Sequence, residues 1–164
     1  MSNTRNQETD LVTGTGVAVT LIVPLPPEQV WKLITAVERI GEWSPEATGG
    51  RWCEESPGPV RGARFIATNR FPHGLETTVV CRVTEAREPE VFAWDVLDDD
   101  GATGSSWRYE LSGGGTPGTT MVRQSFRHGP GMTGARQGGR WDSRLTVLCS
   151  NMMSTINAMT GVER

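Results

Sequence analysis

Lysine is almost missing from this chain: Lys32 stands alone against 15 arginines, and the formal net charge is -3. The arginines form no basic stripe, so nothing is built to neutralise a row of phosphates, and a nucleic-acid partner is not expected. Histidine is nearly as scarce, with only His73 and His128, too few for most histidine-based metal centres. The three cysteines, Cys53, Cys81 and Cys149, are odd in number and none falls in a CxxC pair. That argues against a disulfide scaffold or a zinc site and for reduced thiols in a cytoplasmic protein, with neither metal nor cofactor expected. No apolar run approaches the roughly 18 residues that a bilayer span needs. The polar N-terminus has no apolar core of a secretory signal, so none is expected. There is no internal repeat.

Glycine and proline, by contrast, are plentiful, with 20 and 10 copies in 164 residues. They mark frequent turns and favour a β-rich single domain. Residues 1–14 lack apolar periodicity and read as a mobile N-terminal arm; residues 15–164 read as one domain. Val17, Val19, Leu21 and Val23 alternate at period two, a half-buried strand. Pro24 to Pro27 ends it. Pro27 suits the first position of a helix, where a missing N–H costs nothing, and Glu28 then complements the helix dipole. Val30, Leu33, Ile34 and Val37 recur at three and four residues and mark one buried helical face. Gly41 and Pro45 break that run, giving a second, short helix.

After Gly49-Gly50 the pattern turns to alternation. Strands are expected at 51–54 and 62–69, and then around Thr77 to Val83, Phe92 to Val96, Trp107 to Leu111 and Thr120 to Phe126. Turns fall at 55–60, 71–74, 98–101 and 113–118. The glycine-rich stretch 129–139 reads as a loop or a frayed helix start. From about Arg140 the period is helical again, with Trp141, Leu145, Leu148, Met152, Ile156 and Met159 on one stripe. Successive hairpins make an antiparallel sheet. Its apolar face needs a cover, and the last helix is the one long element able to supply it. A curved sheet wrapped round one helix leaves a gap between them that suits a small ligand.

Several short patterns, in order, resemble one family. They are Pro27-x-x-Val30-Trp31, Ile40-x-x-Trp43-Ser44-Pro45-Glu46, Gly62-x-x-Phe65, Thr77-x-x-x-Cys81-x-Val83-Thr84-Glu85, Phe92-Ala93-Trp94-x-Val96 and Trp107-x-Tyr109-x-Leu111. Together they resemble the START-like helix-grip (SRPBCC) superfamily, in its bacterial polyketide cyclase/dehydratase-type branch. The resemblance implies an α+β helix-grip fold: a seven-stranded curved antiparallel sheet in the order β-α-α-β6-α, wrapped around a long C-terminal helix. It implies a hydrophobic small molecule, polyketide-like or polycyclic, held between sheet and helix. The implied activity is cyclisation or dehydration; the alternative is a carrier or sensor of lipids or other hydrophobic ligands. A homodimer stays open. The superfamily has no universal catalytic motif to carry over, so function has to be argued from the site.

The inward rows supply the expected cavity wall: Phe65, Thr77, Val79, Cys81, Phe92, Trp94, Trp107, Gln124 and Phe126 from the strands. Trp141, Leu145, Leu148 and Met152 come from the last helix, and Trp43 from the helix pair. Asn69, Tyr109 and Gln124 are polar residues on apolar faces. They either bond a ligand carbonyl or hydroxyl, or bond one another and the backbone. His73, in the Phe71-Pro72-His73-Gly74 connection, is an acid/base candidate by its imidazole pKa. Tyr109 is a candidate general acid, Asn69 a polar partner, and Glu46 a reserve carboxylate at the cavity mouth. Cys81 reads as a small core residue, and Arg64, Arg70 and Arg123 as outward residues available for cross-strand ion pairs.

Overall fold

The computed structural model describes residues 10–56, 58–136 and 141–161, apart from the side chains of Trp141 and Asp142. Strand β1 (Gly16–Val23) leads into helix α1 (Pro27–Ile34) and a 3-10 turn (Val37–Glu42). Six strands follow: β2 (Ala47–Trp52), β3 (Arg64–Arg70), β4 (Glu76–Arg87), β5 (Val91–Leu97), β6 (Thr103–Gly113) and β7 (Thr120–His128). Helix α2 (Trp141–Thr160) closes the order. The seven strands form one sheet in the spatial order β1-β7-β6-β5-β4-β3-β2, every neighbouring pair antiparallel. The first two strands thus lie at opposite edges, and α1 with the 3-10 turn spans the distance between them.

The period-two rows do what alternation requires: Val17, Val19, Leu21 and Val23 turn inward while Ala18, Thr20 and Ile22 stay exposed. On α1, Val30, Trp31 and Ile34 are buried. Trp31 meets Phe92 edge to face at 6.1 Å, locking the helix onto the sheet. Ile156 and Met159 of α2 join the same core, with Val23, Val83, Leu111 and Val122. Each such fully buried side chain contributes about 1.5–3 kcal/mol relative to exposure. A second, smaller core lies under the first half of α2, where Leu148 and Met152 pack on Phe126.

Two expectations change. Gly49-Gly50 does not separate elements; both glycines lie inside β2, which begins at Ala47 rather than Arg51 and carries a bulge between Ala47 and Gly49. The reason is close approach. A Cβ on Gly50 would stand 2.5 Å from the carbonyl oxygen of Val37, and one on Gly41 2.3 Å from that of Thr48. Glycine here lets the 3-10 turn lie flat on β2. The second concerns the N-terminal arm. Residues 1–9 lie outside the described residues, but residues 10–14 are tied down. Arg136 donates to Thr13 Oγ1 at 2.7 Å and to the Gly129 carbonyl at 2.9 Å, and the Gly14 N–H donates to the His128 carbonyl at 2.8 Å.

Candidate functional site

A cavity of about 190 Å³ lies between the sheet and α2. Its wall follows from strand pleating. Phe65, Ala67 and Asn69 of β3 face it, as do Thr77, Val79 and Cys81 of β4. Phe92, Trp94 and Val96 of β5, then Ser105, Trp107 and Tyr109 of β6, and Gln124 of β7 complete the curve. Trp94 and Trp107 stack with centroids 6.1 Å apart and planes 3° from parallel, and Trp94 also meets Tyr109 at 6.0 Å. The result is a continuous aromatic wall. From above, α2 contributes Arg144, Leu148, Asn151, Met152 and Thr155.

The polar groups fall into separate sets. Glu46 is only 8% exposed. It is gripped from α2: Arg144 Nη1 donates to Glu46 Oε1 at 2.6 Å, Arg144 Nη2 donates to Oε2, and Asn151 Nδ2 donates to Oε1 at 3.0 Å. The Arg144 guanidinium also sits 5.1 Å from the centroid of the Phe71 ring, a cation–π contact. Asn69 Nδ2 donates to Thr77 Oγ1 at 3.3 Å across the β3–β4 pair. Ser105 Oγ accepts from Trp107 Nε1 at 3.3 Å. Left without a partner among the described residues are Gln124 Oε1, Thr133 Oγ1 and Arg144 Nε, all on cavity-lining side chains. Burial pushes the Tyr109 phenol well above its ordinary value, so it stays protonated and able to donate. Burial likewise pushes the Cys81 thiol up to about 12, which makes it a wall group and no nucleophile.

Most of the expected wall residues line this cavity: Phe65, Thr77, Val79, Cys81, Phe92, Trp94, Trp107, Gln124, Leu148 and Met152, with Tyr109, Asn69 and Glu46 among the polar candidates. Four others do not. His73 is exposed and lies on the Phe71 ring, centroids 6.0 Å apart and nearly parallel. Phe71 is the residue its loop turns inward, so the imidazole is left outside. Trp43 carries the Arg39 guanidinium 4.8 Å from its ring centroid, packs against the main core and is not part of the cavity wall. Phe126 is buried behind Trp107, meeting it edge to face at 4.9 Å. Leu145 packs into the small core with Phe126. The side chain of Trp141 lies outside the described residues.

Sequence reasoning missed Arg144 and Asn151, which hold Glu46, and Phe71 and Thr133, which close one end. A signal existed for the first two. Arg144, Asn151 and Thr155 share the helical stripe of Leu148 and Met152 at spacings of three, four and seven, so polar residues interrupt an inward face. His128 was passed over as well. It is 1% exposed, and both ring nitrogens lack partners among the described residues. Burial, then the charges of Arg136 and Arg144, hold its pKa below the ordinary value.

A curved antiparallel sheet closed by a C-terminal helix, with an aromatic cavity between, is the helix-grip architecture. The chain belongs to the family described as polyketide cyclase/dehydrase and lipid transport, whose model matches residues 15–146. Solved structures share the fold. Protein NE0264 from Nitrosomonas europaea superposes with a TM-score of 0.65 at 16% identity, covering 89% of this chain and 92% of that one. The Polyketide_cyc-like protein Cgl2372 from Corynebacterium glutamicum gives 0.60 at 23% identity, covering 88% of each chain. The di-domain ARO/CYC StfQ from the steffimycin biosynthetic pathway gives 0.64 at 15% identity, covering 91% of this chain and 50% of StfQ. No curated protein matches the sequence. Among the described residues no helix is long and apolar enough to cross a membrane, and no group of three His, Cys, Asp or Glu is placed to hold a metal ion.

Proposed function

We propose that this protein holds a small hydrophobic ring compound, polyketide-like in chemistry, between its sheet and α2, and acts on it as a cyclase or dehydratase. The observation that carries this reading is the cavity itself: about 190 Å³, walled by Phe65, Phe92, Trp94, Trp107 and Tyr109, with a mostly apolar surface. Such a surface suits a flat apolar ligand oriented by a few hydrogen bonds. The volume favours the small end of the expected range. An engineered cavity of about 150 Å³ takes benzene, so one ring, or two with modest side-chain movement, is the fitting size.

In this reading catalysis is chiefly positional: the wall folds a flexible chain into a reactive conformer. Tyr109 supplies a proton or hydrogen bond to a carbonyl oxygen. Asn69 and Glu46 border the same space, with Glu46 accepting a proton once it releases Arg144 or Asn151. His73 has no part, because its ring lies outside the cavity. The free thiols of Cys53 and Cys149 support a reducing, cytoplasmic setting. A second reading, a non-catalytic carrier, draws on the engaged state of Glu46: its carboxylate is already occupied by Arg144 and Asn151 within the protein.

Incubation with a linear poly-β-ketone thioester mimic separates the two. Accelerated ring closure or water loss, slowed by Tyr109→Phe, supports the enzyme. Tight binding with no acceleration supports the carrier. No binding and no turnover overturns both.

A further inference from the structure

We propose that residues 129–136 form a movable end wall of the cavity, and that Arg136, clasped by the N-terminal strap 10–14, is the latch that sets how large a ring the protein admits. The inference rests on the cavity-binding reading above and adds what limits the size of the ligand.

The loop that follows β7 runs from Gly129 to Arg136, and Thr133, Gly134 and Ala135 line one end of the cavity. It lies flush against its neighbours. A Cβ on Gly131 would stand 2.8 Å from Asp98 Oδ2, and one on Gly134 3.1 Å from the tip of the Phe71 ring. There is no slack inward, so displacement is outward, the side on which Met132 is exposed.

Little holds the middle of this loop. Among the described residues, the backbone of Thr133, Gly134 and Ala135 makes no hydrogen bond to the rest of the protein; the Thr133 carbonyl accepts from Arg136 within the loop, at 3.0 Å. Segments with so few backbone bonds open most easily. On one side the Gly131 N–H donates to the Thr103 carbonyl at 2.8 Å, and the Met132 N–H to Asp98 Oδ2 at 3.2 Å. On the other side the hold is Arg136. Its Nη2 donates to the Gly129 carbonyl at 2.9 Å and to Thr13 Oγ1 at 2.7 Å, and its Nη1 lies 3.5 Å from both Asp10 carboxylate oxygens. One guanidinium thus draws the two ends of the loop together and ties both to the strap. The strap is shaped to receive it: Asp10 Oδ1 accepts from the N–H groups of Val12 and Thr13 at 3.0 and 3.1 Å.

The other walls are firmer. The sheet is one continuous ladder from β1 to β2, and α1 is locked by Trp31 on Phe92. The rim at Glu46 is held by the largely buried, two-pronged pair with Arg144, which is costly to break. In the latch the Asp10 side chain is 46% exposed, and ion pairs open to water hold weakly. A ring too large for about 190 Å³ therefore gains room by displacing this end, against the hold of Arg136.

Equilibrium dialysis of the full chain against toluene, naphthalene and phenanthrene tests this. Toluene fits a space of about 190 Å³ without movement and phenanthrene does not. Arg136→Gln and Thr13→Val should each tighten phenanthrene by about three- to tenfold, the range spanned by an exposed ion pair and its hydrogen bonds, and leave toluene unchanged. Unchanged toluene binding also reports that the variants are folded. Asp10→Asn, which keeps an acceptor and removes the charge, should act in the same direction by less. Arg87→Gln, which breaks an exposed pair with Glu85 elsewhere on the sheet, should change nothing. Weakening of all three ligands together would make Arg136 a merely structural residue, and unchanged phenanthrene binding, or equal tightening of all three, would show that this end does not set the size limit. Each of these overturns the latch and leaves the cavity reading standing. Failure of all three ligands to bind the unaltered protein overturns the cavity reading, and the latch with it.

Discussion

Arg144 of the last helix closes on Glu46 of the loop before β2, two residues 98 positions apart in the chain, with both guanidinium Nη atoms on the two carboxylate oxygens. Their side chains keep 19% and 10% exposure. The pair is therefore the polar fastening between the cover helix and the rim of the cavity. Replacing Glu46 by Gln leaves a largely buried guanidinium without its counter-charge and should cost about 3 kcal/mol, the low end for breaking a buried pair. Replacing both, as Glu46→Leu with Arg144→Met, should recover most of that loss. Urea denaturation of the three proteins measures it through the midpoint at constant slope. Equal losses in the single and double variants would show that the contact is incidental.

His128 gives stability a pH dependence whose sign follows from its surroundings. It is buried beside Phe126, with ring centroids 4.8 Å apart, and the cations Arg136 and Arg144 both oppose its protonation. Its folded pKa lies below the unfolded value of about 6.5. As pH falls through that value the unfolded chain takes up a proton before the folded one does. Stability is therefore full above about pH 6.5 and declines below it, levelling only beneath the folded pKa. Asp10, held below the ordinary carboxylate range first by its hydrogen bonds from Thr13 and Val12, adds its own loss at lower pH still. His128→Phe should flatten the decline just below about pH 6.5. An unchanged slope in urea titrations over that window would remove His128 as its source.

Gly50 is a packing requirement that alternation alone does not reveal. Any Cβ there meets the Val37 carbonyl oxygen at 2.5 Å, so β2 and the 3-10 turn must part. Gly50→Ala should cost about 1–3 kcal/mol, the usual range for overpacking. Gly113→Ala, where a Cβ meets nothing within 4 Å, should cost far less. Thermal melts of the two variants compare them directly.

These cases show where sequence reading works and where it stops. Val17 to Val23, Thr77 to Val83 and Thr120 to Phe126 could be assigned to faces because a strand has only two, and alternation says which is which. Gly49-Gly50 was misleading because a glycine pair signals a break locally, whereas here its cause is a helix resting on the strand from elsewhere in the chain. Glu46 was visible as a candidate, but its partner was not. Which side of α2 faces the cavity depends on how the helix is rolled against the sheet, and that roll puts Arg144 and Asn151 inside while Leu145 turns to the smaller core. His73 failed for a similar reason: its loop turns one ring inward, and that ring is Phe71.

Cys81 tests the cavity wall without any ligand being known. Its side chain lines the cavity at 2% exposure, and burial holds the thiol up to about 12. Cys53 and Cys149 are half-buried and lie off the cavity. Thiolate is the reactive form, and at pH 8 a thiol titrating near 12 is almost wholly protonated. With a large charged disulfide reagent at that pH, Cys53 and Cys149, which are partly exposed, should be modified first. Cys81 should react only at the rate at which the sheet opens. A small neutral alkylating agent adds a second arm: it can enter the cavity, and any molecule that occupies the space beside Cys81 should slow the residual reaction further. Peptide mapping by mass spectrometry assigns each modification. Rapid labelling of Cys81 in the native protein would mean that β4 is open to solvent at this point, and that the wall from Thr77 to Cys81 does not enclose a ligand.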